Sequence, residues 1–175
     1  MTEFWDWASK TYGGEGVAEA CLALQDEHDQ CVTLLLWAAW AAAQGRVVSD
    51  DEAQAAVALA RPWHADVITP LRSLRRRLKA QVSPDDDHVR LPLRDLVKAT
   101  ELKAEKAVMA QMEAIPLNTQ VKSSTEALCQ TNLAATIRAW GEKMPPDSDA
   151  SLIHALTKGD FLRYGGHVDG VAKRP

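Results

Sequence analysis

The chain has 175 residues, 46% of them hydrophobic, and a formal net charge of −4 at pH 7. This length suits one domain with a sizeable core. The slightly acidic balance excludes a general electrostatic attraction to nucleic acid or anionic lipid, so double-stranded DNA is disfavoured as a partner.

Three helices are predicted in the first part of the chain. Thr2 can cap a short helix that ends at Gly13-Gly14, and a second helix runs from about residue 15 to residue 28. Twelve of the thirteen residues at 31–43 (C-V-T-L-L-L-W-A-A-W-A-A-A) are apolar. Such a helix must be surrounded by lipid or by other helices, and its length of about 20 Å is too short for a bilayer core of about 30 Å. We therefore predict the central buried helix of a bundle and no transmembrane segment.

Two further helices are predicted between residues 49 and 81. Ser49 and Glu52 fit a capping box that opens a fourth helix, which ends before Pro62. A leucine stripe predicts a fifth helix over residues 64–81, with Pro70 inside the pattern. Either Thr69 caps a helix that begins at Pro70, or one longer helix kinks there. The leucines of the stripe are Leu71, Leu74 and Leu78.

The second half of the chain also has helical patterns. Residues 92–115, with Pro92 in the first turn, predict the longest helix. Ser123 and Glu126 fit a second capping box, and a short helix is expected over residues 150–158. No segment combines period-two alternation with hairpin signals. The sequence thus predicts an all-α, single-domain bundle of about six to eight helices around residues 31–43, spanning residues 1–164, with a flexible tail at 165–175.

The cellular compartment is predicted from the cysteines and the amino terminus. Cys21, Cys31 and Cys129 are odd in number, lie in apolar stretches and show no C-x-x-C spacing. The first residues lack the basic and apolar regions of a signal peptide. Buried thiols in the cytoplasm are therefore expected.

Several segments together resemble a family of uncharacterised proteobacterial proteins of similar length. They are F-W-D-W at 4–7, C-L-A-L-Q-D at 21–26, V-T-L-L-L-W-A-A-W at 32–40, P-L-R-S-L-R-R-R-L-K at 70–79 and E-L-K-A-E at 101–105. The resemblance covers roughly residues 3–140. It implies a bacterial, cytosolic, helical protein with a domain of unknown function, and it supplies no catalytic residues.

The strongest local charge feature is a basic run on the fifth helix. Arg72, Arg76 and Lys79 share one helical face, which lies away from the leucine stripe. Guanidinium groups suit carboxylate and phosphate oxygens, so this face is predicted to dock a protein with an acidic surface. RNA or anionic lipid is an alternative partner. The simpler interpretation is a solvated face, or an internal partner for the acidic loop Asp85-Asp86-Asp87.

The first helix carries a second candidate contact. Trp5 and Trp7 are two positions apart, so their side chains point about 200° apart and both cannot face one core. One of them is expected to be partly exposed or in an interface. The first helix is therefore predicted to contact a partner protein or a second copy of the chain.

A bundle-core site is the main alternative to a binding surface. Asp26, His28, Glu101 and Glu105 are the best metal-ligating or acid–base candidates. However, the chain has no Glu-x-x-His pair, and an ion-paired surface explains Glu101 and Glu105 more simply. We therefore predict a non-enzymatic adaptor or regulatory module without a cofactor, with an enzyme or metal-binding protein as the alternative.

Overall fold

The computed structural model describes residues 3–81, 83, 86–117, 120–141, 149–159 and 161–162. These residues form eight α-helices and contain no strand, so the predicted all-α bundle is confirmed. A π-helical segment, His64–Ile68, joins the fourth helix to the fifth. Thr2 and the predicted tail at 165–175 lie outside the described residues. The helices are α1 (Glu3–Tyr12), α2 (Val17–His28), α3 (Val32–Ala43), α4 (Asp50–Trp63), α5 (Thr69–Arg77), α6 (Asp87–Glu113), α7 (Thr125–Trp140) and α8 (Ala150–Lys158).

Helix α3 lies at the centre of the bundle, as its composition predicted. All of its residues except Val32 are buried, and it contacts α1, α2, α4, α6 and α7. Trp37 is fully buried, and its indole N–H donates to the Met112 carbonyl at 3.1 Å. Of the helices described, none is long and apolar enough to cross a bilayer.

Asn132 on α7 holds the end of α3 in place. Its Nδ2 donates to the carbonyls of Ala38 and Arg46 at 3.2 and 2.9 Å, and its Oδ1 accepts from the Val48 N–H at 2.8 Å. The side chain is fully buried. Three hydrogen bonds offset the cost of burying this amide, so it ties α3, α7 and the segment before α4 together.

The predicted helix stop before Pro62 is wrong. Helix α4 includes Pro62 and continues through the π-helical segment into α5. Thr69 is not an N-cap, because its backbone is helical and its N–H donates to the His64 carbonyl. The longer-helix alternative at Pro70 is therefore the correct one. The wider hydrogen-bond spacing of a π turn explains how a helix can pass a proline that has no N–H to donate.

Helix α5 is less buried than its leucine stripe predicted. Leu78 is buried, Leu71 is half-buried and Leu74 is 38% exposed. The helix also ends at Arg77, before the predicted end at residue 81. Its main neighbours are α6 and the π-helical segment, so only one side of α5 is covered.

Two helix starts differ from their predictions. Helix α6 has 27 residues and begins at Asp87, so Pro92 lies beyond its first turn. The cap of α7 is Ser124 rather than Ser123: its Oγ accepts from the Ala127 N–H, and Glu126 therefore stands one residue too early to complete a capping box. The predicted box of Ser49 and Glu52 is present.

Candidate binding cleft

A cleft of about 460 Å³ opens between α1, α2, α3, α5 and α6. We call it the cleft. Two of its wall residues, Leu22 and Leu102, are 42% and 49% exposed. Its apolar walls are formed mainly by Trp5, Ala8, Tyr12, Leu22, Val32, Leu36, Leu102 and Met109. Its charged residues are Arg72, Arg75, Arg76, Lys98, Glu101 and Glu105.

Helix α1 gives the cleft its aromatic wall. Its buried face carries Phe4, Ala8 and Thr11, which leaves both Trp5 and Trp7 half-buried on its flanks. Trp5 lines the cleft, with the Lys106 Nζ 5.1 Å from the centroid of its ring. Trp7 does not line the cleft, and its indole N–H donates to the Phe161 carbonyl at 3.1 Å. The two tryptophans thus have different surroundings, and of the two it is Trp5 that lines the cleft.

The fold separates the three residues of the predicted basic face. Arg72 points inward, and its side chain is only 14% exposed. Arg76 is 50% exposed at the cleft and donates to Asp26 Oδ1 at 2.8 Å. Lys79 follows the end of α5, is exposed and does not line the cleft. Arg75, which is not part of the predicted basic face, also lines the cleft.

Two arginines of α5 and two glutamates of α6 form an ion-pair network in the cleft. Arg72 Nε donates to Glu101 Oε1, and Arg72 Nη2 donates to Glu105 Oε1, both at 3.1 Å. Arg75 Nε and Nη2 both donate to Glu101. Because α5 and α6 pack side by side, residues three apart on one helix face residues four apart on the other.

The two carboxylates of the network have different environments. Burial alone would raise the pKa of Glu101, but the hydrogen bonds and charges of Arg75 and Arg72 outweigh burial and lower it. Burial raises the pKa of Glu105, and the neighbouring charge of Glu101 adds to this effect, while Arg72 opposes it. The fold therefore stabilises the ionised form of Glu101 more than the ionised form of Glu105.

The predicted metal or acid–base set does not come together. Glu101 and Glu105 face arginines, Asp26 pairs with Arg76, and His28 lies half-buried at the end of α2. Within the described ranges, no three His, Cys, Asp or Glu residues are grouped so that they could hold a metal ion. A guanidinium group beside each carboxylate supplies the positive charge that a cation would otherwise bring.

The acidic loop pairs with a different arginine from those of the basic run. Asp86 and Asp87 both accept from Arg90, which also donates to the Leu78 carbonyl at 2.6 Å. Asp85 is outside the described residues. Arg90 thus joins the start of α6 to the end of α5.

The arginines were visible in the sequence, but their contacts were not. Arg75 lies three residues after Arg72, and Glu101 and Glu105 are four residues apart, so each pair has helical spacing. Nothing in the sequence says that these two faces meet across 26 residues or more. Tyr12, Leu22 and Leu102 were also missed as cleft residues, because an apolar wall has no distinctive pattern.

Comparison with known proteins gives a family and no activity. No curated protein and no solved structure matches the chain. One family model, described as a protein of unknown function (DUF2390), matches residues 3–112. This region contains every residue that lines the cleft and ends near the carboxyl end of α6. The chain therefore belongs to this family of proteins of unknown function.

Proposed function

We propose that the protein is a non-enzymatic binding module whose cleft receives a segment of a partner protein. The segment carries a bulky apolar anchor side chain next to acidic residues. One observation supports this most strongly: the aromatic helix α1 and the basic helix α5, which the sequence suggested separately as contact surfaces, line the same cleft through Trp5, Arg72 and Arg76.

The apolar walls support an apolar anchor. Leu22 and Leu102 are large apolar side chains left about half exposed beside the deeper Leu36 and Met109. A volume of about 460 Å³ lies within the range of about 300–1,000 Å³ that is usual for ligand pockets. An apolar side chain placed here would remove these leucines from water, which is favourable at roughly 25 cal/mol per Å² of apolar surface.

The charges support an acidic segment. Four cationic and two anionic side chains line the cleft, so the lining has two more cations than anions. Arg76 and Lys98 are the exposed cations, and Asp26 offsets only Arg76. Carboxylates on a partner would be steered toward this surface. RNA is less favoured, because its phosphates would pass Glu101 and Glu105 and the apolar walls would remain unfilled.

Binding of two labelled peptides tests the proposal. One has a Leu-Trp-Leu anchor with glutamates on both sides, and the other has the same anchor with lysines. Fluorescence anisotropy should show binding of the acidic peptide only. The double variant Arg76→Gln/Lys98→Gln should bind the acidic peptide about tenfold more weakly, since two exposed cations are removed.

A matched variant supplies the control. Arg77→Gln/Lys103→Gln removes two exposed cations from the same helices, but neither residue lines the cleft. It should leave the affinity within about twofold. Equal binding of both peptides, no binding of either, or equal losses in both double variants would overturn the proposal. Tight binding of a polyuridylate probe with a steep salt dependence would favour the RNA alternative instead.

We also propose that the module works in the cytoplasm. Cys21, Cys31 and Cys129 are free and buried. Burial raises the pKa of Cys21 and Cys129 to about 12, so these thiols carry no reactive thiolate at neutral pH. Fractionation of cells that express the tagged chain should place it with cytoplasmic markers, and recovery with an exported fraction would contradict this assignment.

A further inference from the structure

The ion-pair network of the cleft is asymmetric. The network contains four hydrogen bonds, and Glu101 accepts three of them, one from Arg72 and two from Arg75. Glu105 accepts the fourth, and the Arg72 Nη2 is its one donor among the residues that the structure describes. A carboxylate can accept about four hydrogen bonds, so Glu105 retains most of its capacity.

Glu105 is also the carboxylate that a ligand would meet. Its side chain is 25% exposed, whereas that of Glu101 is 7% exposed. In the empty cleft, water can reach the remaining lone pairs of Glu105. A ligand that fills the cleft removes this water, and a carboxylate left without replacement donors would oppose binding.

The surroundings restrict which donor can replace the water. A lysine or arginine of the partner would pair with Glu105, but it would also approach Arg72 and Arg75. A neutral donor avoids this repulsion. The walls of the same cleft include Trp5, Tyr12 and Met109, which suit an apolar ring better than a small hydroxyl side chain.

Indole has this combination of properties, and this chain shows how it behaves when buried. Trp7, Trp37 and Trp140 each donate the indole N–H to a main-chain carbonyl, at 3.1, 3.1 and 2.8 Å. A buried indole can therefore fill apolar space and satisfy an acceptor, as these three do, whereas the buried Trp40 Nε1 has no hydrogen-bond partner among the described residues. Phenylalanine or leucine would fill the same space without a donor.

We propose that Glu105 is a specificity-determining residue, and that the anchor of the acidic partner segment is a tryptophan whose indole N–H donates to it. This inference rests on the proposed function, because it names the anchor that the cleft receives. It assigns different tasks to the two glutamates: Glu101 holds the arginines, and Glu105 selects the anchor.

A pair of acidic peptides tests this assignment at pH 8. One carries tryptophan as its anchor, and the other carries 3-benzothienylalanine, which has nearly the same shape but a sulfur in place of the N–H. The native protein should bind the tryptophan peptide about tenfold more tightly. In Glu105→Met the ratio should fall to about two or less, because the acceptor is gone. Lys98→Gln, a variant of the same cleft, should weaken both peptides and keep the tenfold ratio.

Two further comparisons make the result decisive. Glu105→Gln keeps one acceptor oxygen and should recover part of the ratio, which guards against a Glu105→Met variant that has lost its fold. Equal binding of the two peptides to the native protein would overturn the anchor assignment and leave the binding module intact. A tenfold ratio that persists in a folded Glu105→Met protein would also overturn it. If neither peptide binds, the proposed function itself fails.

Discussion

The two sides of the bundle differ in how completely their polar groups are buried and hydrogen-bonded. On the side where α3 packs against α7, Asn132 makes three hydrogen bonds. In the core, Trp37 of α3 is fully buried and its N–H is paired with a carbonyl of α6. On the side where α5 packs against α6, charged groups are only partly buried, and Glu105 accepts a single hydrogen bond from the residues that the structure describes. Asn132 and Trp37 are thus satisfied within the fold, whereas the cleft side has spare apolar surface and spare hydrogen-bonding capacity. This contrast indicates which side gives stability and which side is available to a ligand.

The largest expected effect is on the α3 side. Trp37→Ala should lower the free energy of unfolding by about 4 kcal/mol, because it leaves a large cavity in the core and removes the hydrogen bond from the indole N–H to the Met112 carbonyl. Leu102→Ala in the cleft should change it by less than about 1 kcal/mol, since that side chain is half exposed. Urea unfolding of both variants measures the difference. Similar losses in the two variants would contradict the contrast between the two sides.

The next effect concerns the buried amide. Asn132→Ala should cost about 3 kcal/mol, because the buried Val48 N–H loses its acceptor and the carbonyls of Ala38 and Arg46 lose the hydrogen bonds from this amide. Gln130→Ala, at an exposed position of the same helix, is the matched control and should cost little. If thermal unfolding shows equal stability for the two variants, Asn132 does not hold α3 and α7 together as described.

The network should respond to pH with opposite signs at its two glutamates. Because the pKa of Glu101 is lowered in the folded state, ionised Glu101 stabilises the fold at pH values above its unfolded-state pKa, near 4.5. This contribution is lost as the pH falls through the folded-state pKa. Glu101→Gln should therefore cost about 1–2 kcal/mol at pH 7 and less at pH 3. The raised pKa of Glu105 means that the native protein loses stability as the pH rises through it. Glu105→Gln, which resembles the protonated form, should gain stability relative to the native protein between pH 3 and pH 7.

Unfolding curves at the two pH values measure both trends. Parallel behaviour of the two variants would show that the glutamates are equivalent, and it would remove the distinction between holding the arginines and meeting the ligand.

The smallest effect is at the start of α7. Ser124→Ala should cost about 1 kcal/mol through loss of the N-cap, whereas Ser123→Ala should cost nothing measurable. These two variants measure how much the first turn of α7 contributes to the α3 side, because α7 is the main neighbour of α3 there. The reverse order of the two losses would restore the capping box that the sequence suggested.

Local signals in the sequence were reliable where one helix determines the outcome. The composition of α3 predicted its burial, the Ser49 box is present, and α8 has the expected limits. The π-helical segment could not be predicted, because it depends on a shift in hydrogen bonding around Pro70 that no residue pattern marks. The partial exposure of Leu74 depends on how few helices cover α5, which is a property of the packing.

The cleft was predictable in its parts and not in its assembly. Trp5, Arg72 and Arg76 were candidates from their spacing alone, and the structure brings all three to one place. Arg75 and Lys98 were missed, because their role depends on which helix lies opposite them. The same dependence on distant neighbours turned Glu101 from a metal candidate into a partner of arginines.

A partner that binds at the cleft, as we propose, should perturb the cleft residues first, and NMR mapping with the acidic tryptophan peptide measures this perturbation residue by residue. Amide shifts of 15N-labelled protein should change most at Trp5, Tyr12 and Leu102, and least around Asn132 on the opposite side. These changes should saturate together as one binding event. Shifts concentrated instead on the exposed apolar side chains of α6 outside the cleft, Val89, Leu93 and Leu96, would contradict it.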